Sequence, residues 1–438
     1  MNLNEPDQNA RAKIKPGAPL VERHLEALAA MVRIDSRSFN VNEFEGDRET
    51  PTDMQEILAC AEAYLRGIGF PTVRINRPIP GPKRSTPILM AEIFASREKP
   101  TILFYAHLDK QPYMDDGRFR KWGGVPPTEL TWNDDRSRAF GRGAADDLSG
   151  VVAIGMAVEA VLSSLGIDPG GPAEGFAALP CNIRVIHETE EESGSHTLIE
   201  QILDNRDFFT GTDCVIITDV INPAQGVPGL TTSLRGIVQM TASLTPKGGP
   251  AGLDTQTAFY KILATLIDDH HQLTLTGISD TPVTEEERKG YARIPITVDQ
   301  MRESAGLLAD TRLTVPEDSV SALIAQLRKS YVNCRPGHRV SGGVVLGAAG
   351  ARLVFQHSRD PAELRTRIEH FVQRHNRFGL RVTVRPVDGE TPGPAFDLIV
   401  RAADKDPHSG VHGGPFPVAE LQLARFIDRM VALDGTIT

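Results

Sequence analysis

Three apolar runs in this chain end on ionisable side chains, and no other feature constrains the fold as tightly. "TILFYAHLD" (101–109) closes on His107 and Asp109, "CNIRVIHETEEE" (181–192) on Glu190, Glu191 and Glu192, and "DCVIITD" (213–219) on Asp219. Runs of this length and β-branched content read as buried strands. Between them, "GRGAADDLSGVVAIGMAVEAVLSSLG" (141–166) is a glycine-rich turn feeding a long helix of small residues, and "SHTLIEQILDN" (195–205) reads as a second helix. Strand, helix, strand, helix, strand is the pattern of a mostly parallel α/β sheet with covering helices. Sites in such sheets form outside the carboxyl ends of the strands. The sequence therefore predicts that His107, Asp109, Asp146, Asp147, Glu190, Glu191, Glu192 and Asp219 converge on one crevice.

So many carboxylates in one place repel, and one or two bound divalent cations remove the repulsion. Imidazole plus carboxylate ligation suits zinc, with cobalt or manganese as alternatives. Each motif alone has a bland explanation. "HLD" is more often structural than ligating, "GRG" is usually a tight turn, and "ETEEESGS" could be a solvated helix start favoured by the dipole. The weight lies in their combination at successive strand ends. The net charge of −10 argues against a nucleic-acid or membrane-surface binder. The first twenty residues contain no apolar signal-peptide core, and no run is long enough to span a bilayer. The four cysteines (Cys60, Cys181, Cys214, Cys334) form no CxxC pair, which points to reduced thiols and a cytoplasmic protein.

At 438 residues two domains are expected. After Arg235 the pattern changes. "GIVQMTASLTP" (236–246), "ARLVFQHS" (351–358) and "GLRVTVRPV" (379–387) are strand-like, while "TQTAFYKILATLIDD" (255–269) and "DPAELRTRIEHFVQRHN" (360–376) are helical. This predicts a small ferredoxin-like α+β domain over 236–394. The turn "DGETPGPAFD" would then return the chain, so that 395–438 rejoin 1–235 in the first domain.

"YAHLDKQP", "GRGAADD", "EEESGS", "ITD" and "TTSLRG", in that order, resemble the M20 family of dinuclear metallopeptidases, which includes carboxypeptidases, carnosinase-like dipeptidases and N-acyl-amino-acid deacylases. The resemblance covers most of residues 50–240. It implies a zinc-peptidase-like catalytic domain with an inserted lid through which a homodimer forms. It also implies a hydrolase that cleaves an amide bond in a small peptide or acyl-amino-acid substrate, using two divalent metals. By the same resemblance His107 and Asp219 would bind one metal, Glu192 the other, and Asp146 would bridge them. Glu191 would be the general base, and Asp109 would hold the His107 tautomer.

The chain departs from the family pattern in three places. The usual lid histidine is missing where "SLTPKGGPAGLDTQ" places Lys247, no "GGSIP"-like segment is found, and Arg359 is out of register with the family's substrate-carboxylate arginine. The late segment "PHSGVHGGPF" (407–416) offers two readings. Chain order favours His412 as a ligand of the second metal; the letters better match an oxyanion motif in which His408 is the donor. These losses leave a rival, a non-catalytic homologue acting in binding or assembly. Glu191 favours the enzyme, because a metal-binding scaffold has no use for a base beside its ligands.

Overall fold

The computed structural model describes residues 5–38, 52–76, 86–111, 113, 126–222, 226–237, 240, 242–244, 254–278, 280–333, 348–354, 360–387, 394–404 and 414–432. The chain forms two compact units, Met1–Val220 and Ile221–Thr438.

The first unit runs α1 (Glu5–Lys13), α2 (Pro19–Arg33), α3 (Thr52–Ile68), β1 (Thr72–Asn76), β2 (Ile88–Ile93), β3 (Thr101–His107), β4 (Thr131–Trp132), β5 (Ala139–Phe140), α4 (Leu148–Ser164), β6 (Asn182–Glu188), α5 (Leu198–Asp204), α6 (Arg206–Phe209) and β7 (Cys214–Ile217). Helix α3 stops at Gly69, whose φ is 115°. The Gly69 N–H donates to Leu65 and Arg66 carbonyls, and Phe70 N–H donates back to Leu65. Such a left-handed stop satisfies carbonyls that the helix end leaves free.

The sheet has the order β1-β2-β6-β3-β7. Strand β3 is parallel to β6 and to β7. Strand β2, in contrast, is antiparallel to both β1 and β6. The sheet is thus mixed, which corrects the expectation of a mostly parallel one. Apolar runs identify strands locally, but their direction is set by long-range pairing. The parallel part, β6-β3-β7, is the part that carries the ionisable strand ends. Met31, Val32, Ile57, Leu58, Leu65, Leu148, Val151 and Val185 build the core behind it, so β3 is buried at the point where it delivers His107.

In the second unit, α7 (Thr255–Ala264), α8 (Glu285–Tyr291), α9 (Val298–Ala305), α10 (Ser319–Leu327), β8 (Ala348–Val354), α11 (Pro361–His375), β9 (Arg381–Pro386), β10 (Ala395–Arg401) and α12 (Ala419–Met430) follow in order. Strand β10 lies between β8 and β9, antiparallel to both. Leu364, Phe396, Leu398, Val400, Leu423, Phe426 and Ile427 share one core there. The return of 395–438 to the first unit is therefore not what the described residues adopt. Pairing with β8 and β9 holds β10 in the second unit, and α12 shares its core. The predicted strand over 236–246 is not seen among the described residues of that segment. Its described residues have no regular structure, and Ile237 and Met240 stand 78% and 86% exposed. Among the described residues, no helix is long and apolar enough to cross a membrane.

Candidate metal centre

The carboxyl ends of β6, β3 and β7 build the site. His107 is the last residue of β3 and lies in register with Glu188, the last residue of β6. Glu191 and Glu192 occupy the single 3-10 turn that follows β6. Asp219 lies two residues beyond β7, and Asp146 precedes the N-cap of α4, Asp147. His107 Nε2 is 3.0 Å from Asp146 Oδ1 and 3.9 Å from both Glu191 Oε2 and Asp219 Oδ2. Two overlapping groups result, His107 with Glu191 and Asp219, and His107 with Asp146 and Glu192; in each, one ligand atom per residue lies within 4.8 Å of the others.

Asp109 organises the acids. Its backbone carbonyl accepts from His107 Nδ1 at 3.0 Å. Its carboxylate accepts the backbone N–H groups of Glu191 at 3.2 Å and Glu192 at 3.0 Å. The carboxylate is farther from the imidazole, 3.4 Å from Nδ1, so the ring is oriented chiefly by the main chain. Asp147 accepts the His107 N–H, and Gln111 donates to Glu192.

The electrostatics suit a bound cation. Burial, with Asp219, Asp109 and Asp146 nearby, pushes the Glu191 carboxyl up to about 7. Burial and Asp146 push Glu192 up to about 8. Burial and Asp219 push Asp147 up to about 7. Burial alone would lower the His107 imidazolium, but the hydrogen bonds to Asp109 and Asp146 outweigh it and hold the ring at about 12. Because a carbonyl fixes the proton on Nδ1, the second proton sits on Nε2, among the acids. A divalent cation would take that place and satisfy the Nε2 lone pair. Glu192 Oε1 is buried without a hydrogen-bond partner among the described residues, as expected of an oxygen whose partner is a metal ion. The donor set, one imidazole and several carboxylates, suits zinc or a harder divalent ion.

Of the residues singled out in the sequence, His107, Asp109, Asp146, Glu191, Glu192 and Asp219 are brought together. His408, His412, Lys247 and Arg359 lie outside the described residues. Asp147, among the acids predicted to converge, accepts the His107 N–H. Two neighbours escaped the sequence reading. Gln111 sits inside a quoted motif. Lys110 gave no signal, because a lysine reads as surface by default.

A profile of Peptidase family M20/M25/M40 matches residues 103–301. The chain is 33% identical over 268 residues to the Beta-Ala-His dipeptidase of Mus musculus, covering 56% of this chain and 50% of that protein. It is 30% identical over 234 residues to the Cys-Gly metallodipeptidase dug1 of Schizosaccharomyces pombe, covering 50% and 45%. The match to the Cysteinylglycine-S-conjugate dipeptidase of Corynebacterium striatum is 26% identical over 371 residues, covering 77% and 74%. The chain thus spans about half the length of the first two relatives. The crystal structure of human carnosine dipeptidase 1 shares the fold, with a TM-score of 0.53 at 20% identity over 92% of this chain and 73% of that one. The ionisable strand ends gathered around His107 all fall within residues 103–301, the part of the chain that matches Peptidase family M20/M25/M40.

Proposed function

We propose that this protein is a metal-dependent hydrolase that cleaves the peptide bond of a small dipeptide, with Glu191 as general base. The observation that carries the reading is the pair of ligand groups that share His107, one with Glu191 and Asp219 and one with Asp146 and Glu192, in a domain whose relatives are named dipeptidases. Two divalent cations, held by His107, Asp146, Glu192 and Asp219, would polarise the scissile carbonyl and acidify a water molecule.

Glu191 takes the proton of the attacking water. The water oxygen bonds the carbonyl carbon, the C–N bond breaks, and Glu191 returns the proton to the leaving amine nitrogen. A carboxyl poised near neutrality can do both halves of that transfer. Cations beside it favour its ionised form, so it enters the reaction as a base. Asp109 fixes the backbone of Glu191 and Glu192 and thereby the direction of both side chains. Cys60, Cys181 and Cys214 are free thiols, in keeping with a cytoplasmic enzyme.

Purified protein should hydrolyse at least one member of a dipeptide panel that includes β-alanyl-histidine and cysteinyl-glycine, and lose the activity to a chelator. Zinc-loaded protein that cleaves none of them and no N-acyl amino acid would favour the non-catalytic rival.

A further inference from the structure

The Lys110 side chain is fully buried, 0% exposed, an unusual place for an ammonium. Its Nζ donates to the carbonyls of Met31 at 3.2 Å, Val32 at 2.9 Å and Ile34 at 2.6 Å. These belong to the C-terminal end of α2, where carbonyls lack helical partners and the dipole favours a cation. The backbone of the same residue is also tied down. Its N–H donates to Ser36, and its carbonyl accepts from Ser38. Ser36 Oγ donates to the Leu108 carbonyl.

The neighbours of Lys110 reach the other way. Asp109 holds the backbone of Glu191 and Glu192, and Gln111 holds the Glu192 carboxylate. The lysine stem also shapes the turn before Asp146. A Cβ at Gly143 would lie 2.8 Å from Lys110 Cγ and 2.9 Å from Cε, so that turn rests directly on the stem. A buried ammonium is costly to desolvate, and an apolar side chain often serves stability as well or better. Its retention here has a geometric return.

We propose that Lys110 is a positioning residue of the metal centre: by clamping the end of α2 it fixes the strand-end loop from which His107, Asp109 and Gln111 set the ligand geometry. The inference rests on the reading of this site as a metal centre.

The second unit supplies a control. Lys261 Nζ donates to the carbonyls of Asp428 and Val431 at the end of α12, the same capping chemistry in a unit that does not contain His107. Lys110→Met and Lys261→Met are compared with wild type for zinc affinity, by competition with a chromophoric chelator, and for urea unfolding. Both leave helix-end carbonyls without their donor and should be less stable for that reason. Lys110→Met should bind zinc ten- to a hundredfold more weakly, the scale for a lost outer-shell support, and Lys261→Met within twofold of wild type. Should Lys110→Met not fold, Lys110→Gln, which keeps part of the stem and an N–H donor, carries the same comparison. Wild-type zinc affinity in the folded Lys110 variant, or an equal loss in Lys261→Met, overturns the inference alone. A wild type that binds no zinc overturns it together with the metal-centre reading.

Discussion

His107 shows what one residue contributes when its surroundings are fixed first. The Asp109 carbonyl takes the Nδ1 proton, which aims Nε2 at the acids. Glu191, Glu192 and Asp147 are pushed up by burial and by neighbouring carboxylates. In the proposed mechanism Glu191 is the acid with the most to do. Glu191→Gln keeps size and hydrogen-bonding capacity but cannot take a proton. Its zinc content should match wild type while kcat on a cleaved dipeptide falls by at least about a hundredfold, the contribution of a positioned general base. Full turnover in that variant would remove Glu191 from the mechanism. These residues were legible in the sequence because ionisable groups recur at successive strand ends, a combination that the bland explanation of any one motif does not cover. Lys110 and the main-chain role of Asp109 were not legible. Both depend on contacts to segments far away in sequence, α2 for one and the 191–192 turn for the other.

At the level of elements, β3, β6 and β7, together with α3, α4 and α11, could be read from local pattern. Each has a clear apolar period, and α3 has a glycine stop. Gly69→Ala tests that stop: it must hold a φ of 115°, and its Cβ would lie 2.4 Å from Pro169 Cβ. Unfolding in urea should report a loss of at least about 1 kcal/mol; an unchanged midpoint would contradict the stop as described. Pairing was less legible than the strands themselves. "AFDLIVR" has the same apolar pattern whichever sheet it joins, so its place between β8 and β9 could not be deduced from its own residues. "GIVQMTASL" is apolar enough for a strand, yet apolarity without a paired neighbour leaves Ile237 and Met240 in solvent.

For the whole molecule, the sequence predicts two domains with 395–438 in the first, whereas the described residues of that segment pair and pack within the second unit. Composition does not distinguish a chain that returns to its N-terminal domain from one that remains in the domain it has just built. The electrostatics of the first unit have a consequence for global stability. Glu191, Glu192 and Asp147 hold their protons to about 7 or 8 in the folded state but only to about 4 when unfolded. His107 holds its proton to about 12 when folded, against about 6.5 unfolded. The folded state thus binds more protons, and stability falls as pH rises through these folded values. Buried His187, pushed down to about 4, acts in the opposite sense only below about 6.5, and Lys110, pushed down to about 8 by burial, does so only above about 8. Chelated protein should therefore melt at a lower temperature at pH 8 than at pH 6.5. Added zinc should reduce the difference. Equal or greater stability at pH 8 without metal would contradict the crowded-acid account.

The claim that matters most is that these strand ends hold divalent metal. Zinc binding to the metal-free protein, followed by isothermal titration alongside Asp146→Ala, tests it most directly. Wild type should bind about two zinc ions, and Asp146→Ala, lacking the carboxylate proposed to bridge them, should lose most of that binding while remaining folded. Wild type without micromolar zinc affinity, or a folded Asp146→Ala that binds zinc as wild type does, would contradict it.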